Sequence, residues 1–294
     1  MEDRLIVDRG RAQAGEPIAT HEVRGGGGLR LHVREWGNRE GPPILLIHGW
    51  SQSQLCWARQ VAGGLAEDFH LVTFDLRGHG MSEKPAGAEH YRDPRLWADD
   101  LAAVIDRSGL DRPVVVAWSY GGFIVTDYVR AHGEHAIGGI NLVGGAVILK
   151  PPAFEHIGPG FLGNAPEACT PDLAVNIAAI GRFLEACTAR PLSADDWASA
   201  ICASMVVPPE VRGALISREI DAADVLSSLS VPVLVTHGRR DAIILPSMAE
   251  HVLAVCGTAE PSWYDDVGHL PFLEDPVRFD RELGEFVRRV RSRA

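Results

Sequence analysis

At 294 residues the chain is long enough for one large α/β domain, or two small ones, with a sizeable buried core. Its 28 basic and 39 acidic residues leave a formal charge of −11, which argues against nucleic acid and anionic membrane as partners. The charged start Met1–Asp8, and the lack of any run of about 18 apolar residues, point to a cytoplasmic protein with no spanning helix.

Residues 1–18 lack periodicity and read as an extension, mobile or packed on the surface, with no assigned function. From Thr20 two alternating runs, Thr20–Arg24 and Leu29–Trp36, flank Gly25-Gly26-Gly27-Gly28 and predict a β-hairpin. The tetraglycine is expected to be a turn, because a phosphate-cradling loop would follow a buried strand and open a helix. Pro42–Ile47 is an apolar strand entering His48-Gly49-Trp50, with an amphipathic helix expected from Gln52 to Leu65. A third strand, His70–Leu76, ends in Asp75-Leu76-Arg77-Gly78-His79-Gly80-Met81-Ser82. Asp93 to about Leu110 carries apolar residues at 96, 101, 104 and 105, the spacing of one buried helical stripe.

Val114–Trp118 is a continuous apolar strand leading into Ser119-Tyr120-Gly121-Gly122, with a helix to about Ala131. Ala117 and Gly121 stand two residues either side of Ser119, the spacing of a GxSxG elbow with Ala in first place. Such a turn strains the serine backbone and brings strand and helix close, so only small neighbours fit. The same pattern also suits a serine that merely caps the following helix. Ile137–Gly145 is another strand.

The alternation of strands and helices then breaks. Residues 146–230 read as helices with Pro-rich joints and no clear strand, an inserted lid or cap. Sheet-like sequence resumes at Val231–Gly238, a helix is expected over Pro246–Val255, a strand over Pro261–Tyr264, and an amphipathic helix closes the chain from Asp275 to Arg291. The predicted fold is therefore α/β: a doubly wound, mostly parallel sheet with core segments 19–145 and 231–294 and a helical cap at 146–230.

In such sheets ligands bind beyond the carboxyl ends of the strands. Three of those ends carry Ser119, Asp241 and His269, in the order expected of a nucleophile, acid and base on this architecture. Asp265 and Asp266 are alternative partners for His269, but they lie too close in sequence to reach its far nitrogen easily. His237 is expected to be a supporting or core histidine, and Asp75 to pair with Arg77 or cap backbone amides. The five cysteines (Cys56, Cys169, Cys187, Cys202, Cys256) are scattered and predict free thiols, with no disulfide frame, zinc site or catalytic thiolate.

Four stretches, His48–Trp50, Asp75–Ser82, Ala117–Gly121 and Gly268-His269-Leu270-Pro271-Phe272-Leu273-Glu274-Asp275-Pro276, make the chain resemble the α/β-hydrolase superfamily, in the branch with esterases, cofactor-free haloperoxidases and epoxide hydrolases. The resemblance implies an oxyanion hole from the backbone N–H groups of Trp50 and Tyr120, with His48 packed under its turn and His79 in a loop that braces the sheet. Ser119 departs from the Asp that epoxide hydrolases and haloalkane dehalogenases carry at the elbow, and Ser51 from a Pro common in the epoxide-hydrolase-like branch.

What remains is acyl transfer on a small to medium apolar ester or lactone, with no metal or organic cofactor. Phe154, Phe161, Phe183, Trp197 and Met205 are expected either to line an acyl or aryl pocket or to form the core of the cap, and Arg182 and Arg212 to be single solvated charges. Cofactor-free haloperoxidation or perhydrolysis, carbon–carbon bond hydrolysis, and a ligand receptor with a silent triad are alternatives on the same residues. Oligomeric state is not legible.

Overall fold

The computed structural model describes residues 15–150 and 153–293; most of the N-terminal extension and the Pro151-Pro152 joint lie outside them. Among the described residues ten strands are formed: β1 Ala19–Arg24, β2 Arg30–Gly37, β3 Pro43–Ile47, β4 His70–Phe74, β5 Val114–Trp118, β6 Gly139–Val143, β7 Ile148–Leu149, β8 Ile220–Asp221, β9 Val233–Gly238 and β10 Ala259–Tyr264. Eight of them make one sheet in the order β1-β2-β4-β3-β5-β6-β9-β10. The first three of these pair antiparallel and the rest parallel. β3, β4, β5 and β6 are buried along their whole length, as expected of apolar runs covered by helices on both faces. No single helix among the described residues is long and apolar enough to cross a membrane.

The tetraglycine is indeed the hairpin turn, and it is docked inward. The Gly26 N–H donates to Asp100 Oδ1 at 2.8 Å and Arg77 Nη2 donates to the Gly26 carbonyl at 2.9 Å, while Arg77 and Asp100 form a fully buried ion pair of 2.7 Å. Arg77 is thus spent on Asp100. Asp75 instead accepts from the Gln54 and Met81 amides at 2.8 and 2.9 Å, the amide-capping half of the expectation.

Two expected elements differ. The helix over 52–65 is broken into a 3-10 turn, Gln54–Trp57, and two single turns, Ala58–Val61 and Leu65–Asp68. Gly63 and Gly64 fall between the last two, where the entropy cost of ordering glycine favours a break. The segment 146–230 does contain strand: β7 and β8 pair antiparallel at its base. Its last helix, Ala223–Ser228, packs against the helices Gly121–His132 and Pro246–Val255 of the main body. Two-residue strands give no periodicity to detect, which is why the sequence reads as purely helical there.

Between β7 and β8 the chain forms helices, chiefly Leu173–Ala186, Ala194–Met205 and Pro209–Ile216. They lie over the turns that follow β3 and β5: Phe161 and Phe183 meet the Trp50 ring edge-on with centroids 5.3 Å away, and Gln52 Nε2 donates to Ser204 Oγ at 2.9 Å. Arg212 is not a solvated charge. It is 0% exposed and donates to Ala168 O, Asn176 Oδ1 and Ser204 O at 2.6, 2.7 and 2.6 Å, so one guanidinium ties three parts of the insertion together. Burial lowers its pKa to about 10. Arg182 is the exposed charge expected, held by Asn164 and Glu167.

Candidate active site

Ser119 is held in the left-handed region at φ +54°, one of three non-glycine residues of positive φ among the described residues. That conformation costs on the order of 1–3 kcal/mol and has to be imposed by its surroundings. Here the Ser119 N–H donates to Val143 O on the neighbouring strand, and the Ser119 carbonyl accepts from both Gly122 and Ala146 at 2.9 and 3.0 Å. Those three bonds fix a sharp corner between β5 and the helix Gly121–His132. The reading of Ser119 as a mere helix cap fails, because Tyr120 occupies the cap position and the serine side chain makes no cap bond.

His269 sits beside this corner. Its Nδ1–H donates to Asp241 Oδ2 at 2.7 Å, with the histidine 1% and the aspartate 3% exposed. The other carboxylate oxygen, Asp241 Oδ1, accepts from the Ile243 and Ile244 amides at 2.8 and 2.9 Å, so the acid is locked before it meets the imidazole. Nε2 of His269 is buried and has no partner among the described residues, which leaves its lone pair available to a hydroxyl proton. The ring is held from below as well: an added Cβ at Gly144, whose φ is +49°, would stand 2.9 Å from Nδ1. Trp118, the residue before the serine, donates from its indole to the His269 carbonyl at 3.0 Å and so ties the two strand ends together.

The turn after β3 completes the group. A Cβ added at Gly49 would stand 3.0 Å from the Ser119 Cβ, which measures how closely this turn approaches the elbow. Among the described residues neither the Trp50 nor the Tyr120 N–H donates to a protein acceptor. His48 lies beneath: the Leu76 N–H donates to its Nε2, its Nδ1–H donates to Gly49 O at 2.8 Å, and burial lowers its pKa. It is structural, as is His79, whose ring lies 5.1 Å from His48 and whose pKa burial lowers to about 3. His237 donates from Nε2 to Ile244 O at 2.9 Å and approaches Asp241 Oδ2 at 3.4 Å. Asp265 and Asp266 point away, paired with Arg239 and Arg240 at the surface.

The apolar candidates divide. Phe161 and Phe183 lie against Trp50, while Phe154 is 42% exposed in a 3-10 turn. Trp197 and Met205 are half-buried and pack within the insertion and its contact with the body. A cavity of about 80 Å³ lies between insertion and body, walled by Trp118, Phe183, Leu184, Leu270 and Leu273. Two of its walls are the residues adjacent in sequence to Ser119 and His269.

Sequence reasoning missed several supports. Glu274 accepts from the Gly268 and Ala189 amides at 2.7 and 2.8 Å and pins the histidine loop. Its only signal was its place in the Gly268–Pro276 run. The His269 N–H donates to Cys187 O at 2.7 Å, and Arg218 pairs with Asp127 at 2.6 Å; both join segments far apart in sequence and left no local signal.

A strained serine at the end of a parallel strand, with a buried His–Asp pair at later strand ends and a helical insertion above, marks a hydrolase of the α/β class. The profile of the alpha/beta hydrolase fold matches residues 42–276, and the chain belongs to that family. It falls in the esterase branch, that of the carboxylic-ester hydrolases. A candidate aryl esterase from Burkholderia cenocepacia is 35% identical, with a TM-score of 0.88 over 93% of this chain and 99% of its own. An esterase from Rhodococcus sp. ECU1013 is 34% identical, with a TM-score of 0.86 over 91% and 98%. The pimeloyl-[acyl-carrier protein] methyl ester esterase of Vibrio cholerae is 23% identical over 85% of this chain and 96% of its own.

Proposed function

We propose that the chain hydrolyses a small to medium apolar carboxylic ester or lactone through an acyl-enzyme on Ser119. The observation that carries the reading is the buried 2.7 Å His269–Asp241 pair, with the histidine's Nε2 without a partner among the described residues, together with the strained serine at the elbow. Ser119 Oγ attacks the ester carbonyl as Nε2 takes its proton; the imidazolium returns that proton to the leaving alkoxide, and water then clears the acyl group by the same two transfers. Asp241 fixes the tautomer and stabilises the imidazolium. The Trp50 and Tyr120 N–H groups receive the developing oxyanion, each supplying roughly 3 kcal/mol.

The largely apolar walls beside the site, whose one cation, Arg59, is paired with Asp196, support an apolar acyl or aryl group over a charged one. The aryl ester in the name of the Burkholderia relative fits the same class, whereas the methyl ester named for the Vibrio relative is carried on an acyl-carrier protein. The test is Ser119→Ala, assayed with p-nitrophenyl esters of graded chain length. We expect kcat to fall by on the order of 10⁴ or more and labelling by a fluorophosphonate to disappear. Retained turnover in that variant would refute the assignment.

A further inference from the structure

Both residues assigned to the oxyanion site are gripped, through their side chains, by one helix of the insertion. The Trp50 indole N–H donates to Arg212 O at 3.3 Å, and the Tyr120 hydroxyl donates to Leu215 O at 3.2 Å; both acceptors lie on Pro209–Ile216. Just beyond that helix Arg218 Nη1 donates to the same Tyr120 hydroxyl at 3.2 Å, while its Nη2 donates to Asp127 Oδ2 at 2.6 Å on the helix that the elbow opens. Burial pushes the Tyr120 phenol up to about 12, so it stays protonated and keeps its bond to Leu215. The gripping helix is itself fixed by the Arg212 guanidinium within the insertion.

We propose that Pro209–Ile216, with Arg218, is a clamp that sets the positions of the Trp50 and Tyr120 amides, making the Arg218 guanidinium, the Tyr120 hydroxyl and the Trp50 indole positioning groups for the oxyanion. The inference rests on the oxyanion reading above and goes beyond it by giving the insertion a part in catalysis separate from substrate binding. The grounds are energetic: an oxyanion donor acts only when aimed at the developing charge, and a displacement of about 1 Å can cost about 10²-fold.

The clamp is tested in the whole enzyme with Tyr120→Phe, Trp50→Phe, Arg218→Met and Arg218→Lys, each normalised to sites labelled by fluorophosphonate. Tyr120→Phe and Arg218→Met are expected to lower kcat by about 10- to 100-fold with KM within about twofold. Binding of a boronic-acid transition-state analogue should weaken in the same proportion. Arg218→Lys should recover most of the loss, and the Trp50→Phe/Tyr120→Phe double variant should lose less than the product of its singles, since both release one helix. Wild-type kcat per labelled site in Tyr120→Phe and Arg218→Met overturns the clamp, as do losses confined to KM or to the labelled fraction. Turnover surviving in Ser119→Ala would instead refute the reading beneath it.

Discussion

The carboxyl edge of the sheet and the helical insertion above it are built by different means. At the edge, Ser119 and Asp241 are placed by bonds to backbone a few residues or one strand away: Ser119 by Val143, Gly122 and Ala146, and Asp241 by Ile243 and Ile244. In the insertion, placement depends on side chains that reach across long separations, such as Arg212 to Ala168 and Asn176, or Arg218 to Asp127. The edge is therefore fixed wherever its strands form, whereas the insertion is held at its start by backbone bonds to residues 242–245 and further along by a few buried cations. The nucleophile and its acid sit on the first kind of support; the shape above them, and the clamp proposed for Trp50 and Tyr120, rest on the second.

The sharpest way to break this contrast is Asp241→Asn. The amide keeps an oxygen for the Ile243 and Ile244 N–H groups, so the edge should hold, but it no longer fixes the His269 tautomer or balances the imidazolium. We expect kcat to fall on the order of 10⁴ with the urea midpoint nearly unchanged. A large loss of stability with near-normal kcat per folded molecule would mean that the aspartate is structural.

The same division explains what could be read from the chain alone. Ser119, Asp241 and His269 could be proposed from the chain because a strand end followed by a turn is a local pattern, and the order of three such ends is a strong constraint. The β7–β8 pair was invisible because two residues carry no periodicity, and the helix expected from Gln52 was an apolar pattern interrupted by Gly63 and Gly64. Arg212 was misread for a different reason: composition favours exposure for an arginine, and only Asn176 and two distant carbonyls make its burial affordable.

Arg212→Met tests the insertion as Asp241→Asn tests the edge. Removing the guanidinium leaves Asn176 Oδ1 short of a donor, although Ala168 O keeps the Asn176 amide and Ser204 O keeps the Val207 N–H. A loss of about 3 kcal/mol is expected in urea unfolding, with proteolytic nicking appearing first within residues 153–216. Cleavage starting instead in the strands would contradict the division.

A smaller effect probes the edge through pH. His79 is buried neutral with its pKa lowered to about 3, whereas the unfolded chain takes a proton near the ordinary 6.5. Between those values the unfolded state binds the extra proton, so His79 makes stability fall as pH drops, by about 1.4 kcal/mol per unit. Asp100 and Asp127, pushed up to about 6 by burial, act oppositely from about pH 6 down towards their ordinary 3.8, because there the folded state holds the proton. The wild-type profile mixes both signs, so the difference is what isolates the histidine. His79→Asn should flatten the fall in urea stability between pH 6 and 4 by about that slope; a profile parallel to wild type would show that His79 is not buried neutral.

The smallest effects separate two phenylalanines of the insertion that the sequence offers alike as pocket lining or cap core. Phe183 is 5% exposed, meets Trp50 edge-on and walls the apolar cavity, so Phe183→Ala enlarges the space an apolar group would enter. We expect KM for short-chain aryl esters to rise roughly tenfold, with kcat within a fewfold, because a lost apolar contact is worth about 1–3 kcal/mol and acts on ground and transition states alike. Longer or branched acyl groups should suffer less, since they fill part of the space removed. Phe154, at 42% exposed, should tolerate Ala within about 0.5 kcal/mol in stability and without change in selectivity. If Phe154→Ala alters chain-length preference and Phe183→Ala does not, substrate enters over the 3-10 turn at Ala153–His156 and not through the cavity beside Trp118, and the insertion selects substrate at its rim.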